Sequence, residues 1–243
     1  MYKKIKHYIR RYLYRRNNRM FPALKSVSNS VAACGQDVFV AELLSFKKNG
    51  TFVDIGANDG VTISNTWYFE KELGWVGIAI EPIPQVFQQL KNNRKCKLFE
   101  GCITPKSGIQ KFVELSGATN MLSTLEQNIS GLTSRRISKN IARQNTTKKS
   151  IDVVCTTLAN LLEEHGIEEI DFLSIDTEGG ELEIIKSINF EKFPVKVISV
   201  ENNLFTNNIK TYLENQGFVY LGTFKIDEIY MYGGDILRRS CVL

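Results

Sequence analysis

An α/β fold is predicted, a mostly parallel sheet with helices on both faces, and three observations predict it. Apolar runs of strand length alternate with helix-length stretches from residue 36 onward. Two of these runs end in an acid and a turn, Asp54 before Gly56 and Gly60, and Glu81 before Pro82. Buried parallel strands hand over to ligand-binding turns in this way. The chain has 243 residues, 43% of them apolar, which suits one large domain with additions.

Each element follows from local pattern. Residues 36–46 (QDVFVAELLSF) read as a lead-in helix and 51–56 as strand one. A helix over about 62–73 leads to strand two at 75–81. The next helix, 84–94, opens on Pro84, where proline is tolerated in a first turn. Strand three covers 97–103; residues 108–115 alternate in polarity and suit an added strand, as do 151–157. A helix at 158–165 precedes strand four, Ile170 to Ile175, and a helix at 180–188 precedes strand five, 195–200. Helix 206–216 ends before Gly217, a glycine fitted to the C′ position. Residues 217–233 read as two antiparallel strands, and right-handed crossovers wind the whole into one sheet.

Asp54 departs from a dinucleotide site. A carboxylate at that strand end repels a pyrophosphate, and the third glycine of G-x-G-x-x-G is absent. The same acid suits a ligand with an ammonium group, and S-adenosylmethionine carries an ammonium and a sulfonium. Glu81, 21 positions after Gly60, fits an acceptor for ribose hydroxyls. Strand four ends in Asp176 and Glu178 before Gly179 and Gly180, and strand five ends in Glu201, Asn202 and Asn203. These acids are expected at one edge of the sheet, where they call for a cation. One candidate is the cofactor; the other is Mg2+ held by Asp176, Glu201 and Asn202, a set of hard oxygen ligands resembling the magnesium site of catechol-type O-methyltransferases.

Charge is uneven. Residues 1–20 hold eight Lys or Arg and no acid, while the other 223 carry 23 basic and 26 acidic side chains. The arm, residues 1–32, reads as a basic amphipathic helix; it suits an anionic membrane surface, or packing on the domain or on a second subunit. A second basic stretch, 117–149, holds Arg135, Arg136, Lys139, Arg143, Lys148 and Lys149 and suits a lid over an anionic acceptor or a solvated helix. No run is long enough to span a membrane and the start lacks an apolar leader core. Five cysteines without a C-x-x-C pair point to reduced, mostly buried thiols and a cytoplasmic setting.

Residues 33–235 resemble the FkbM family of S-adenosylmethionine-dependent methyltransferases. The matching pieces are Gly35-Gln36-Asp37, Phe52 to Gly60 (FVDIGANDG), Ser64-Asn65-Thr66, Gly74-Trp75, Glu81-Pro82 and Ile175 to Glu181 (IDTEGGE). The family commonly has His where this chain has Gly180. The resemblance implies a class I methyltransferase (Rossmann-like) fold, with a seven-stranded sheet and a C-terminal antiparallel hairpin. It implies O-methylation of sugars, glycolipids or secondary metabolites. By the match, Asp54, Gly56 and Asn58, with Ala57 and Gly60 in the same turn, line the methionine end of the cofactor. Asn65 takes its carboxylate, Glu81 and Pro82 its ribose, and Gly101, Cys102 and Ile103 flank its adenine, with Asp176 beside the donor.

A hydroxyl acceptor calls for a base or a metal. His7 lies in the arm and His165 at the opposite sheet edge, which leaves Asp176, Glu178 and Glu201 as catalytic candidates. A nucleic-acid acceptor is disfavoured: the turn after strand four is Asp-Thr-Glu-Gly, not an Asn/Asp-Pro-Pro-Tyr/Phe turn, and the body beyond the arm is net acidic. A phosphorylated acceptor and a non-catalytic binding domain are the other readings; a homodimer is compatible with the sequence.

Overall fold

The structure, a computed structural model, describes residues 29–116, 122–129, 134 and 147–234. The basic residues 1–28 and most of 117–146 lie outside that set, and so does Cys241. Among the described residues, eleven strands and six α-helices follow the alternating pattern. Strands β1 (Thr51–Ile55), β2 (Val76–Glu81), β3 (Lys97–Glu100), β8 (Ile170–Ile175), β9 (Val195–Glu201), β10 (Phe218–Phe224) and β11 (Asp227–Tyr232) form one sheet in the order β10-β11-β9-β8-β1-β2-β3. Pairings from β3 to β9 are parallel, and β11 and β10 close the edge antiparallel. This is the class I methyltransferase arrangement.

Helices α1 (Gln36–Leu43), α2 (Trp67–Leu73) and α3 (Pro84–Asn93) cover one face; α4 (Leu158–Glu164), α5 (Glu181–Lys186) and α6 (Asn208–Asn215) cover the other. Strand parity sorts the two cores. Val53, Ile55, Ile78, Ile80, Leu173 and Val200 pack with α4, α5 and α6; Phe52, Phe172 and Val197 pack with α1 and α2. Among the described residues no helix is long and apolar enough to cross a membrane.

Several expectations change. The helix before strand two starts at Trp67, not near 62, because residues 58–66 form a turn with left-handed backbone at Asn58, Gly60 and Ile63. The run 97–103 is two strands: β3 pairs with β2, while β4 (Cys102–Ile103) pairs with β7 (Lys148–Thr156). Gly101 is the joint, and a Cβ there would stand 2.3 Å from the carbonyl oxygen of Val154. The added strands β5 (Gly108–Leu115) and β7 join β4 and β6 (Thr124–Leu125) in a separate four-stranded sheet, order β4-β7-β5-β6. Lys148 and Lys149 sit in β7, with Lys149 opposite Glu114, and so belong to a strand and not to a loop. Next to the arm, Ser30 donates to Asp37 and Ala32 bridges to Ile63. Four cysteines are free: Cys102 and Cys155 are buried, Cys96 is half-buried and Cys34 is exposed.

Candidate active site

The C-terminal ends of β1, β2 and β8 open into a cavity of about 470 Å³, a size suited to a cofactor. Gly56, Asn58, Glu81, Pro82, Gly101, Asp176 and Glu178 line it on the main-sheet side, and Cys102 and Ile103 of the second sheet line it beside them. Gly56 is at φ 88, and a Cβ there would fall 1.8 Å from the Asp176 carbonyl oxygen. Only glycine allows the two strand ends to approach so closely.

Glu81 ties the first two turns together. Its carboxylate accepts from the backbone N–H of Asn58 at 3.1 Å and of Ile83 at 2.9 Å. Burial raises its carboxyl to about 7, against those two hydrogen bonds and with Asp54 adding to the rise. A carboxylate already held by backbone donors presents fixed acceptor positions to a vicinal diol.

Asp54, Ala57, Gly60 and Asn65 do not line the cavity. Asp54 shares its strand face with Phe52, opposite Val53 and Ile55, and is 4% exposed. It accepts from Thr66 Oγ1 at 2.6 Å; burial raises its carboxyl and Arg94 opposes the rise. Ala57 packs with Phe87 and Leu90. A Cβ on Gly60 would meet Leu90 and Arg94. Asn65 donates to Ser174 Oγ at 3.2 Å, and its Oδ1 is buried without a partner. These residues support the turn from behind.

At the other end of the cavity, ligand atoms of Asp176, Glu178 and Glu201 lie within 4.8 Å of one another. Burial, then the neighbouring charges, raises the carboxyls of Asp176 and Glu201. Glu201 stands behind Asp176, 5% exposed, with Oε2 lacking a hydrogen-bond partner. Glu178, in left-handed backbone at φ 58, accepts from Asn203 Nδ2 at 3.0 Å. Glu181 fixes the turn by accepting from the N–H groups of Thr177 and Gly179. Asn202, expected as a metal ligand, is turned away: its amide bonds Thr206 and Glu228. Its carboxamide is consumed in closing the loop after β9, and Glu178 completes the acidic cluster. His165 is the residue that ends α4, at the opposite edge from these acids.

The sequence from 54 to 220 matches the Methyltransferase FkbM domain. The chain belongs to the FkbM methyltransferase family. Among solved structures, the METTL16 MTase domain (crystal form 2) aligns at 15% identity and TM-score 0.44, over 81% of this chain and 66% of that one. The Methyltransferase FkbM from Methylobacillus flagellatus KT aligns at 12% identity and TM-score 0.48, over 79% and 46%. A human methyltransferase 10 domain containing protein aligns at 14% identity and TM-score 0.40, over 80% and 77%. The chain thus spans just under two thirds of the METTL16 domain and less than half of the FkbM structure. A search of curated proteins finds no match.

FkbM membership implies S-adenosylmethionine as the cofactor, and the residues present suit it. Gly56 leaves room for a close approach, Glu81 offers acceptors to a ribose, and the acids at the far end suit a sulfonium and an ammonium. Sequence reasoning missed two parts of this FkbM site. The outer wall comes from the second sheet and its flank, with Gln110, Phe112, Ser123, Leu125, Gln127 and Asn128. The other is Arg94, whose guanidinium is wholly buried against Glu70; burial favours the neutral Glu70 carboxyl, yet Arg94 brings it down to about 2. No local signal marks Arg94, since a single arginine ending a helix reads as solvated.

Proposed function

We propose that the protein is an O-methyltransferase acting on a hydroxyl of a sugar, glycan or glycolipid precursor, in surface polysaccharide biosynthesis. The observation that supports this reading most is the carboxylate cluster Asp176, Glu178 and Glu201, of which Asp176 and Glu178 line one end of the cavity. A hydroxyl is a poor nucleophile and gains from a base at hydrogen-bond reach. When bound, the donor supplies an electrophilic methyl group on a cationic sulfur. Asp176 or Glu178 accepts the proton of the acceptor hydroxyl, and Glu201 shares that proton with Asp176. The neighbouring positive donor favours the ionised forms that burial disfavours. The amides of Gln110, Gln127 and Asn128 on the opposite wall suit a polyhydroxylated partner.

A divalent cation such as Mg2+ is a second reading of the same cluster, favoured by the close set of ligand atoms and by the unpartnered, buried Oε2 of Glu201. Full activity in excess chelator removes the metal and leaves the methyl transfer standing. The reading includes a cytoplasmic setting, with the basic arm against an anionic membrane face or a second subunit. The deciding experiment is mass spectrometry of host surface glycans from cells with and without the intact gene. One CH2 unit lost from a sugar in the deletion supports the reading. Unchanged glycans turn attention to a phosphorylated acceptor, with the basic segment 135–149 as its clamp. Failure to bind S-adenosylhomocysteine points to a non-catalytic domain, and a salt-dependent gel shift to nucleic acid.

A further inference from the structure

The turn from Asn58 to Thr66 links β1 to α2 and lies outside the regular ladders. Asn58 and Ile63 hold left-handed backbone at φ 50 and φ 51 without being glycine. Such residues persist only where the surroundings over-determine them. Part of the shape is local: Asp59 accepts from the N–H groups of Val61 and Thr62 and from the Thr62 hydroxyl. That Asx-type turn sets the curvature. It does not set where the turn sits against the sheet.

Placement comes from two consecutive residues at the end of α3. Asn93 Nδ2 donates to the carbonyl of Asp59 at 2.8 Å. Arg94 donates from Nη1 to the carbonyl of Gly60 at 3.2 Å and to Ser64 Oγ at 3.4 Å, and from Nη2 to Thr66 Oγ1 at 3.0 Å. Its Nε is committed to Glu70 on α2 at 2.6 Å, and its guanidinium lies over the Phe52 ring. Thr66 in turn donates to Asp54 at the end of β1. One buried cation therefore binds the turn, two helices and the first strand at once. Burying an arginine is costly unless its donors are satisfied, and here most of them are spent on the turn. The consequence reaches the cavity through Asn58, whose N–H holds Glu81 Oε2. A turn that drifts releases Glu81 from its fixed position.

We propose that Asn93 and Arg94 are positioning residues for the methyl donor: they set the place of the 58–66 turn, and through it the Asn58–Glu81 contact on the cavity wall. The proposal rests on the donor reading above. Its test is titration calorimetry of the full chain with S-adenosylhomocysteine, run on wild type, Asn93→Ala, Arg94→Lys and Arg94→Met. Hydrogen exchange of the ligand-free proteins is read alongside. Asn93 is exposed on its helix end, so Asn93→Ala keeps the fold and decides the matter even if the Arg94 variants do not fold. Loss of one such hydrogen bond is expected to weaken binding about 3- to 10-fold, with the melting temperature nearly unchanged. Arg94→Lys keeps a cation for Glu70 but not the fork, and is expected to weaken binding about 10- to 100-fold. Amides of 58–66 then exchange faster while β1 and β2 stay protected, a pattern that general destabilisation does not give. Wild-type affinity in Asn93→Ala, or in a folded Arg94→Lys, overturns the proposal. A wild type that does not bind S-adenosylhomocysteine at all overturns the donor reading, and the proposal with it.

Discussion

Glu201→Gln is expected to make the protein more stable and less active, and the size of the gain can be worked out. In the unfolded chain Glu201 titrates near 4.5, the usual value for its carboxyl. In the folded chain, burial and the charges of Asp176 and Glu178 hold it protonated at neutral pH. The folded state therefore binds one more proton than the unfolded state, and stability falls as pH rises above 4.5. Each pH unit above that value costs about 1.4 kcal/mol, or about 3 kcal/mol at pH 7 and under about 1 kcal/mol at pH 5. An amide has nearly the shape of the protonated acid and no such cost. At about 2–4 °C per kcal/mol for a chain of this size, the variant should melt roughly 6–12 °C higher at pH 7. At pH 5 the gain should shrink to under about 4 °C. The assay is differential scanning calorimetry of the ligand-free proteins at both pH values, paired with methyl-transfer measurements. A gain as large at pH 5 as at pH 7, or a lower melting temperature at pH 7, refutes the reasoning. The same carboxyl that destabilises the empty site is the one a bound cation would compensate, so a gain in stability with a loss of turnover ties the cost to function.

Three further outcomes are expected. Gly56→Ala forces a Cβ to 1.8 Å from the Asp176 carbonyl oxygen in left-handed backbone; it should abolish S-adenosylhomocysteine binding by calorimetry and cost more than about 2 kcal/mol, and near-normal affinity would remove Gly56 from the site. Glu81, with its carboxyl raised to about 7, accepts ribose hydroxyls best when ionised, so affinity should rise about tenfold from pH 6 to pH 8. Glu81→Gln should flatten that profile, and a flat wild-type profile would speak against the ribose role. Asp54→Ala leaves the Thr66 hydroxyl without its buried acceptor and removes the charge that faces Arg94, and should cost about 2–4 kcal/mol; weaker binding with an unchanged melting temperature would instead place Asp54 in direct contact with the donor.

How much of this was legible depends on whether the signal was local. Strand β8 runs from Ile170 to Ile175 as expected, because a continuous apolar run between polar flanks has one reading. The acids at the ends of β1, β2, β8 and β9 were legible for the same reason, since each closes such a run. Strand three was not, because its apolar residues continue across Gly101 while the ladder partner changes from β2 to β7. That change depends on strands more than 40 residues away in sequence, and apolarity carries no record of which partner a strand chooses. Asn202 was misread because its residue type suits both a ligand and a loop brace, and only the position of Thr206 and Glu228 separates them.

Asp54 is the instructive case, since the sequence did hold the information. In a strand, alternate residues face opposite sides. Val53 and Ile55 are the residues of β1 that belong to the core under α4 and α5, the side on which Ile55 and Ile184 also border the cavity. Asp54 must then face α2 and α3, where it meets Thr66 and Arg94. A buried carboxylate on that side requires a donor and a cation. The chain supplies both, from the turn and from the end of α3. Asp54 thus braces the scaffold that shapes the turn. This explains why an acid at a strand end reads as a contact in sequence and stands in the structure as the support behind it.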